Sequence, residues 1–184
     1  LATGAHSLDV NGDLQVTDSL DASGQTAGET TTVSGTLTVD GPGGSMTAGA
    51  GALTVDGVTT VDGSLTLGEG DATFETTVVG GGTVTGASGG TAGAIDINGD
   101  VTFTGSFTAS ADDTSVAGEF TAPTAFAANG GTMIFDGTDG SEVGGYTFWN
   151  VTVRADTEMA GDWTVGGALL VDDGAGGTTA TLTT

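Results

Sequence analysis

The chain has 184 residues and a formal net charge of −23, because 24 Asp and Glu face a single Arg and no Lys. Such a charge repels nucleic acid and anionic membranes, and no apolar run approaches the roughly 18 residues of a membrane span, so we expect neither nucleic-acid binding nor membrane insertion. The chain has no Cys and one His, so few acid–base groups besides carboxylates are available, and we expect no enzymatic activity.

Glycine recurs along the chain with a spacing of 19 to 24 residues. The residue two positions before each glycine is always apolar, and the residue four positions after it is apolar in seven of the eight repeats. Apolar positions that alternate with polar ones on both sides of a glycine predict two short strands joined by a corner. The column comprises Gly12, Gly35, Gly57, Gly80, Gly99, Gly118, Gly137 and Gly161.

A second glycine follows six residues later in most repeats, as at Gly41, Gly63 and Gly105, and predicts a second corner in each repeat. A row of antiparallel hairpins is the alternative, because Asn11-Gly12 is a common hairpin turn. Two corners that recur in phase favour stacked parallel coils, and a repeat of roughly 20 residues that cannot bury its own apolar side is typical of a solenoid.

We therefore predict an all-β fold in which residues 1–184 form a single parallel β-solenoid, or β-helix, of about eight coils with essentially no helix. We expect the solenoid to be right-handed, since its coil lengths vary. The rest of each coil is interpreted as a return segment of variable length. Eight coils at about 4.8 Å per stacked strand give a rod roughly 35 to 40 Å long.

Two corners share the pattern Asp, apolar residue, Asn, Gly, Asp, which places three oxygen-bearing side chains on the outward side. They comprise Asp9, Asn11 and Asp13 in one corner and Asp96, Asn98 and Asp100 in the other. Ca²⁺ takes six to eight oxygen ligands, so calcium is the one candidate cofactor. The closing Glu of an EF-hand loop is missing, and Asn and Asp are also ordinary corner residues, so a structural role is the alternative.

Threonine dominates the outward position three residues after each corner glycine, as at Thr38, Thr60 and Thr102. Stacked Thr favours the strand conformation and needs no further explanation. An ice-binding surface is the alternative, and it requires a second Thr rank beside the first. The column two positions further on contains Asp40 and Asp62, so in this register the second rank is broken.

Most aromatic residues lie in the C-terminal half of the chain. Phe103, Phe120 and Phe135 fall on inward columns and are expected in the core, whereas Trp149 is expected to be exposed and to contact a partner subunit or a sugar. A buried contact beneath the return segment is the alternative for Trp149. Asn150 begins the triplet Asn-Val-Thr, which is an N-glycosylation sequon and a candidate glycan site.

The two ends of the repeat show no recognisable cap. Leu8 and Val10 are already in register near the start, and the alternation of Ala180 to Thr184, including Leu182, is typical of the first strand of a ninth coil. Unpaired end strands are adhesive, so the last coil of one copy is expected to pair with the first coil of the next in a head-to-tail homopolymer. Capping residues outside this sequence are the alternative.

The C-terminal segments Tyr146-Thr147-Phe148-Trp149-Asn150-Val151-Thr152-Val153 and Gly161-Asp162-Trp163-Thr164-Val165-Gly166-Gly167-Ala168-Leu169 resemble the repeats of secreted prokaryotic β-solenoids. These are the adhesin and filamentous-haemagglutinin-like proteins, whose repeats run F-x-N-L-T-I and G-D-L-T-V-x-G-x-L-T-L. Earlier segments such as Gly35-Thr36-Leu37-Thr38-Val39 are similar to looser copies. The resemblance implies an extracellular or cell-surface location and a scaffold or adhesive role, and it carries no catalytic residues.

The sequence begins at Leu1 without a Met, which we interpret as export with the leader removed; a piece of a longer protein is the alternative. We expect a structural subunit of an extracellular filament or surface layer that assembles with itself. A passenger segment of a surface adhesin that binds glycans or host surfaces is the second reading, and an ice-binding rod is the third.

Overall fold

The computed structural model describes residues 1–121, 123–137, 141–172 and 182–183, and within these ranges the chain forms 26 short strands and no helix. No helix able to cross a membrane occurs among these residues. The strands, numbered in chain order, form three sheets and a two-stranded ribbon.

The strands of the first sheet begin each coil. They are β1 (Leu8–Val10), β4 (Thr30–Val33), β7 (Ala52–Val55), β10 (Ala72–Phe74), β13 (Ile95–Ile97), β16 (Asp113–Val116), β19 (Thr132–Phe135), β22 (Asn150–Val153) and β25 (Leu169–Val171). The second sheet also has nine strands. They are β2 (Leu14–Val16), β5 (Leu37–Val39), β8 (Thr59–Val61), β11 (Val78–Gly80), β14 (Val101–Phe103), β17 (Phe120–Thr121), β20 (Ser141–Val143), β23 (Thr157–Met159) and β26 (Leu182–Thr183).

The third sheet has six strands and lies between the second sheet of one coil and the first sheet of the next. Its members are β3 (Ser19–Asp21), β6 (Ser45–Thr47), β9 (Ser64–Thr66), β12 (Thr83–Thr85), β15 (Ser106–Thr108) and β18 (Ala125–Ala127). The ribbon pairs β21 (Thr147–Phe148) with β24 (Thr164–Val165). The segment expected as an irregular return therefore contains a regular third strand in the first six coils.

Every strand pairs in parallel with the equivalent strand of a neighbouring coil, for example Val33 with Val55 and Thr38 with Thr60. Parallel pairing across whole coils excludes the hairpin alternative, in which neighbours would be antiparallel and consecutive. The prediction of a parallel β-solenoid of about eight turns without helix is confirmed.

The three sheets differ in which residues face the core. Many strands of the first two sheets bury two alternate residues, as Leu37 and Val39 do, whereas the third-sheet strands from β3 to β15 bury only the middle residue, as Leu65 does. Each third-sheet strand therefore turns two side chains outward. The core is a narrow column between the sheets, filled by Phe in the later coils: Phe103, Phe120 and Phe135 are all buried, as predicted.

The predicted glycine column is correct at six positions and wrong at two. Gly80 ends strand β11 and Gly161 follows strand β23, so neither lies between the first and second strands of its coil. At the corresponding corner of the fourth coil the chain uses residues 75–77, Glu-Thr-Thr, instead. The error arose because glycine also occurs at corners other than the one between the first two strands, and the spacing alone does not tell one kind of corner from another.

Glycine at a corner such as that of Gly57 allows consecutive coils to approach backbone to backbone. A Cβ on Gly57 would lie 2.6 Å from the carbonyl oxygen of Gly35, while the Gly57 amide donates a hydrogen bond of 3.0 Å to that same oxygen. A second glycine ladder precedes the third sheet, where Ser64, Thr83 and Ser106 each donate a backbone hydrogen bond to a glycine carbonyl one coil earlier.

Replacing a glycine at the corner between the first two strands should therefore destabilise the fold only where another coil precedes it. We expect Gly57→Ala to lower the free energy of unfolding by about 1–3 kcal/mol, since overpacking against backbone has no flexible atom to yield. Gly12→Ala is the matched control, because a Cβ there meets nothing within 4 Å. Thermal unfolding followed by circular dichroism measures both; equal losses would contradict the steric explanation.

Candidate functional site

The Asp residues that close the two predicted calcium corners hold successive coils together. The Asp13 carboxylate accepts a hydrogen bond of 2.8 Å from the Thr36 amide, and the Asp100 carboxylate accepts one of 2.9 Å from the Glu119 amide. Each donor lies at the equivalent corner one coil later. Asp62 accepts from the Gly81 amide at 3.0 Å in the same manner, so the arrangement recurs outside the two sequence motifs.

The other side chains of the second motif also bond to neighbouring coils. Asn98 donates from Nδ2 to the Glu75 carboxylate at 3.1 Å, and Asp96 accepts from the Ser115 hydroxyl at 2.8 Å. Within the described ranges, no three His, Asp or Glu side chains lie close enough together to hold a metal ion. Calcium binding by Asp9, Asn11 and Asp13 or by Asp96, Asn98 and Asp100 stays a prediction.

Contacts between neighbouring residues of the solenoid shift the pKa values of two carboxyl groups, those of Asp13 and Asp136. The hydrogen bond from Thr36 lowers the pKa of Asp13 below its ordinary value, so this clamp is intact at neutral pH and is lost as the pH falls through that lowered pKa. Desolvation and then repulsion by Asp96 raise the pKa of Asp136, which the guanidinium of Arg154 partly opposes. Protonation of Asp136 on acidification therefore removes its repulsion with Asp96.

The third sheet carries two outward ranks of hydroxyl side chains. From β6 to β15 the first rank is Ser45, Ser64, Thr83 and Ser106, and the second rank is Thr47, Thr66, Thr85 and Thr108. None of these eight hydroxyls hydrogen-bonds to another group within the part of the chain that the structure describes. These ranks lie on a different sheet from the column that contains Thr38, Thr60 and Thr102. Thr83 stands three residues after Gly80 and so belongs to that column by spacing, but it lies in β12 of the third sheet.

Sequence reasoning missed this face because it treated the third strand as irregular. The signal was present in the triplets Ser-Met-Thr, Ser-Leu-Thr, Thr-Val-Thr and Ser-Phe-Thr, which place an apolar residue between two hydroxyl residues. A reversed in–out alternation is what a sheet with two outward ranks requires.

The ends of the described solenoid expose edge strands. β1 and β25 are the edge strands of the first sheet. Leu8 and Val10 of β1 are only partly buried against the core, and Leu169, Leu170 and Val171 of β25 are 49%, 51% and 43% exposed. The edge of β3 is covered instead, since Ala2 pairs with Asp21 beside it.

The terminal segment does not have the predicted register. Leu182 lies in β26, which pairs with β23 as the second strand of the ninth coil, while β25 supplies the first strand. Ala180, the other residue predicted for the polymer interface, lies outside the described residues. The predicted register was wrong because it counted the eighth coil from Gly161, which lies at a different corner. The polymer contact of Ala180 and Leu182 stays a prediction.

Two surface predictions from the aromatic region have different outcomes. Trp149 is 53% exposed, as expected, whereas its neighbour Phe148 is buried. The Asn150 side chain accepts a hydrogen bond of 2.9 Å from the Ala168 amide through Oδ1, which joins the eighth and ninth coils. Glycosylation of Asn150 stays a prediction.

Comparison with known proteins gives no match: no family model, curated protein or solved structure is significantly similar to this chain.

The carboxylate clamp predicts a specific loss of stability. Asp100→Ala removes the acceptor of the Glu119 amide, and we expect the melting temperature to fall by roughly 2–4 °C, corresponding to about 1 kcal/mol. Asp112→Ala removes the same charge from an exposed bend without such a bond and should leave the melting temperature unchanged or slightly raised. Equal shifts in the two variants would show that charge, not the hydrogen bond, is responsible.

Proposed function

We propose that the protein is a structural subunit of an extracellular filament or surface layer, built by end-to-end stacking of the solenoid. The exposure of Leu169, Leu170 and Val171 in an edge strand supports this role most strongly. Three consecutive apolar residues at a strand edge form a template for pairing with another strand, which proteins normally cover or charge.

The charge of the chain makes this assembly dependent on cations. A net charge of −23 on each copy opposes association, and dissolved salt shortens the range of that repulsion to about 8 Å at physiological ionic strength. The proposed extracellular location rests on the resemblance to secreted solenoids. Because the chain has no Lys and no Cys, we expect copies to associate through hydrogen-bonded strand pairing and side-chain packing. In the alternative function, as a passenger segment of an adhesin, the same rod would be a spacer, and the exposed side chain of Trp149 would contact a glycan.

Assembly should therefore increase with salt and with divalent cations. We expect electron microscopy and sedimentation of the purified chain to show short rods at low ionic strength and filaments of one coil's width at high NaCl or with Ca²⁺. Rods that stay monodisperse at every protein and salt concentration would contradict the filament proposal and favour the adhesin passenger.

A second candidate function, ice binding, is favoured by the paired hydroxyl ranks of the third sheet. The ranks repeat about every 4.8 Å along the rod and about 6.6 Å across it, since they follow the strand spacing and the two-residue strand period. Their hydroxyls are unpaired within the described residues, and the eight residues carry no charge. A regular neutral array of hydroxyl and methyl groups is suited to holding ordered water.

Thermal hysteresis of ice growth tests this candidate directly. We expect Thr66→Lys, in the middle of the third-sheet face, to remove most of the activity, because the long charged side chain breaks both ranks. Thr60→Lys is the matched control on the neighbouring strand of the same coil, outside the face, and should retain it. No hysteresis in the parent protein, or equal loss in both variants, would exclude the third-sheet face.

A further inference from the structure

We infer that the partner of the exposed end strand β25 is strand β1 of a second copy, paired in parallel so that Leu8 lies beside Leu169 and Val10 beside Val171. This inference rests on the proposed filament and specifies its joint. The contact is heterologous: each copy uses a different surface at each end, so that assembly continues without closing.

The register follows from the two inward columns of the first sheet. Val10 pairs with Val33 at one end and Val153 with Val171 at the other, and in every intervening coil the same column stays in register. Leu8 begins the neighbouring column and Leu169 is its last described member. Extending both columns by one strand spacing places a large apolar side chain of one copy over one of the next, and covers all four.

A displacement of one residue is disfavoured because it would turn Leu8 and Val10 toward solvent. A displacement of two residues keeps the orientation, but it leaves one apolar residue of each strand uncovered. The in-register pairing is the arrangement that removes the most apolar surface from water.

The charges at the two ends permit this approach. The edge strands that would meet in the first two sheets are β25 and β26 on one copy and β1 and β2 on the other. Among the residues of these four strands, Asp9 alone is charged, and in the inferred register it lies beside Leu170. In a chain with 24 carboxylates, the strands that would meet therefore contribute a single charge to the repulsion between two copies.

The N-terminal end also has room for another coil at its corner. Added Cβ atoms on Gly35 and Gly57 would each meet the backbone of the coil before, whereas Gly12 in the same column has nothing within 4 Å and no positive φ. Gly12 therefore provides at this end the same flat surface that the later corners use for stacking.

The cysteine-free sequence allows a direct test by engineered disulfides. Leu8 and Leu169 lie at opposite ends of one molecule, so the double variant Leu8→Cys/Leu169→Cys can form a disulfide between these positions only between copies. We expect mild oxidation under filament conditions to give a ladder of dimers, trimers and larger species on non-reducing gels, abolished by reductant. Leu8→Cys/Val171→Cys is the register control, because its Cα atoms would be about 8 Å apart, beyond disulfide reach.

Polarity is tested by mixing the two single variants. Leu8→Cys and Leu169→Cys together should give dimers, and each alone should give far fewer; efficient dimers of one variant alone would indicate a symmetric joint and overturn the inference. Stronger cross-linking of the register control would also overturn it. Filaments that form while the Leu8→Cys/Leu169→Cys pair stays reduced would place the joint elsewhere and leave the filament proposal standing, whereas a parent chain that forms no filaments would remove both.

Discussion

The fold depends on one constraint, which is that each coil must lie a single strand spacing from the next over its whole circumference. Backbone hydrogen bonds between equivalent residues set this distance on the flat sheets, and the corners must meet it as well. Gly35 and Gly57 allow this spacing because they have no side chain. Asp13 and Asp100 stabilise it because each carboxylate accepts a hydrogen bond from a backbone amide of the next coil. A glycine or a carboxylate at a corner is thus part of the same ladder as the strands.

Much of the fold could be predicted from the sequence because this constraint repeats. Inward columns such as Val33 and Val55 alternate with polar residues whichever coil is considered, so strand existence and parallel stacking followed from periodicity. The positions that failed are those at which periodicity is ambiguous. Gly80 and Gly161 satisfy the spacing but occupy other places in their coils, and the third strand was hidden because its alternation is reversed. Telling corners apart requires the pairing partner of each residue, which one sequence does not contain.

The candidate sites were also harder to predict where they depend on contacts between neighbouring coils. The Asp and Asn corners looked like ligand sets because their residue types match calcium chemistry, but several of these side chains bond to the neighbouring coil. The hydroxyl face emerged only when the third strand was recognised, since it is a property of neighbouring coils and not of any single segment. Both cases show that in a solenoid the meaning of a surface residue depends on the residue one coil away.

The central claim is that the coil register continues from one molecule into the next. Cryo-electron microscopy of filaments grown at high salt measures this continuity as the axial rise per subunit. Eight coil steps separate Leu8 from Leu169 in one copy and one more step crosses the joint, so the account predicts a rise of nine strand spacings, about 43 Å, with no gap at the joint. A rise that differs from this by a strand spacing or more, or neighbouring subunits of opposite polarity, would contradict it.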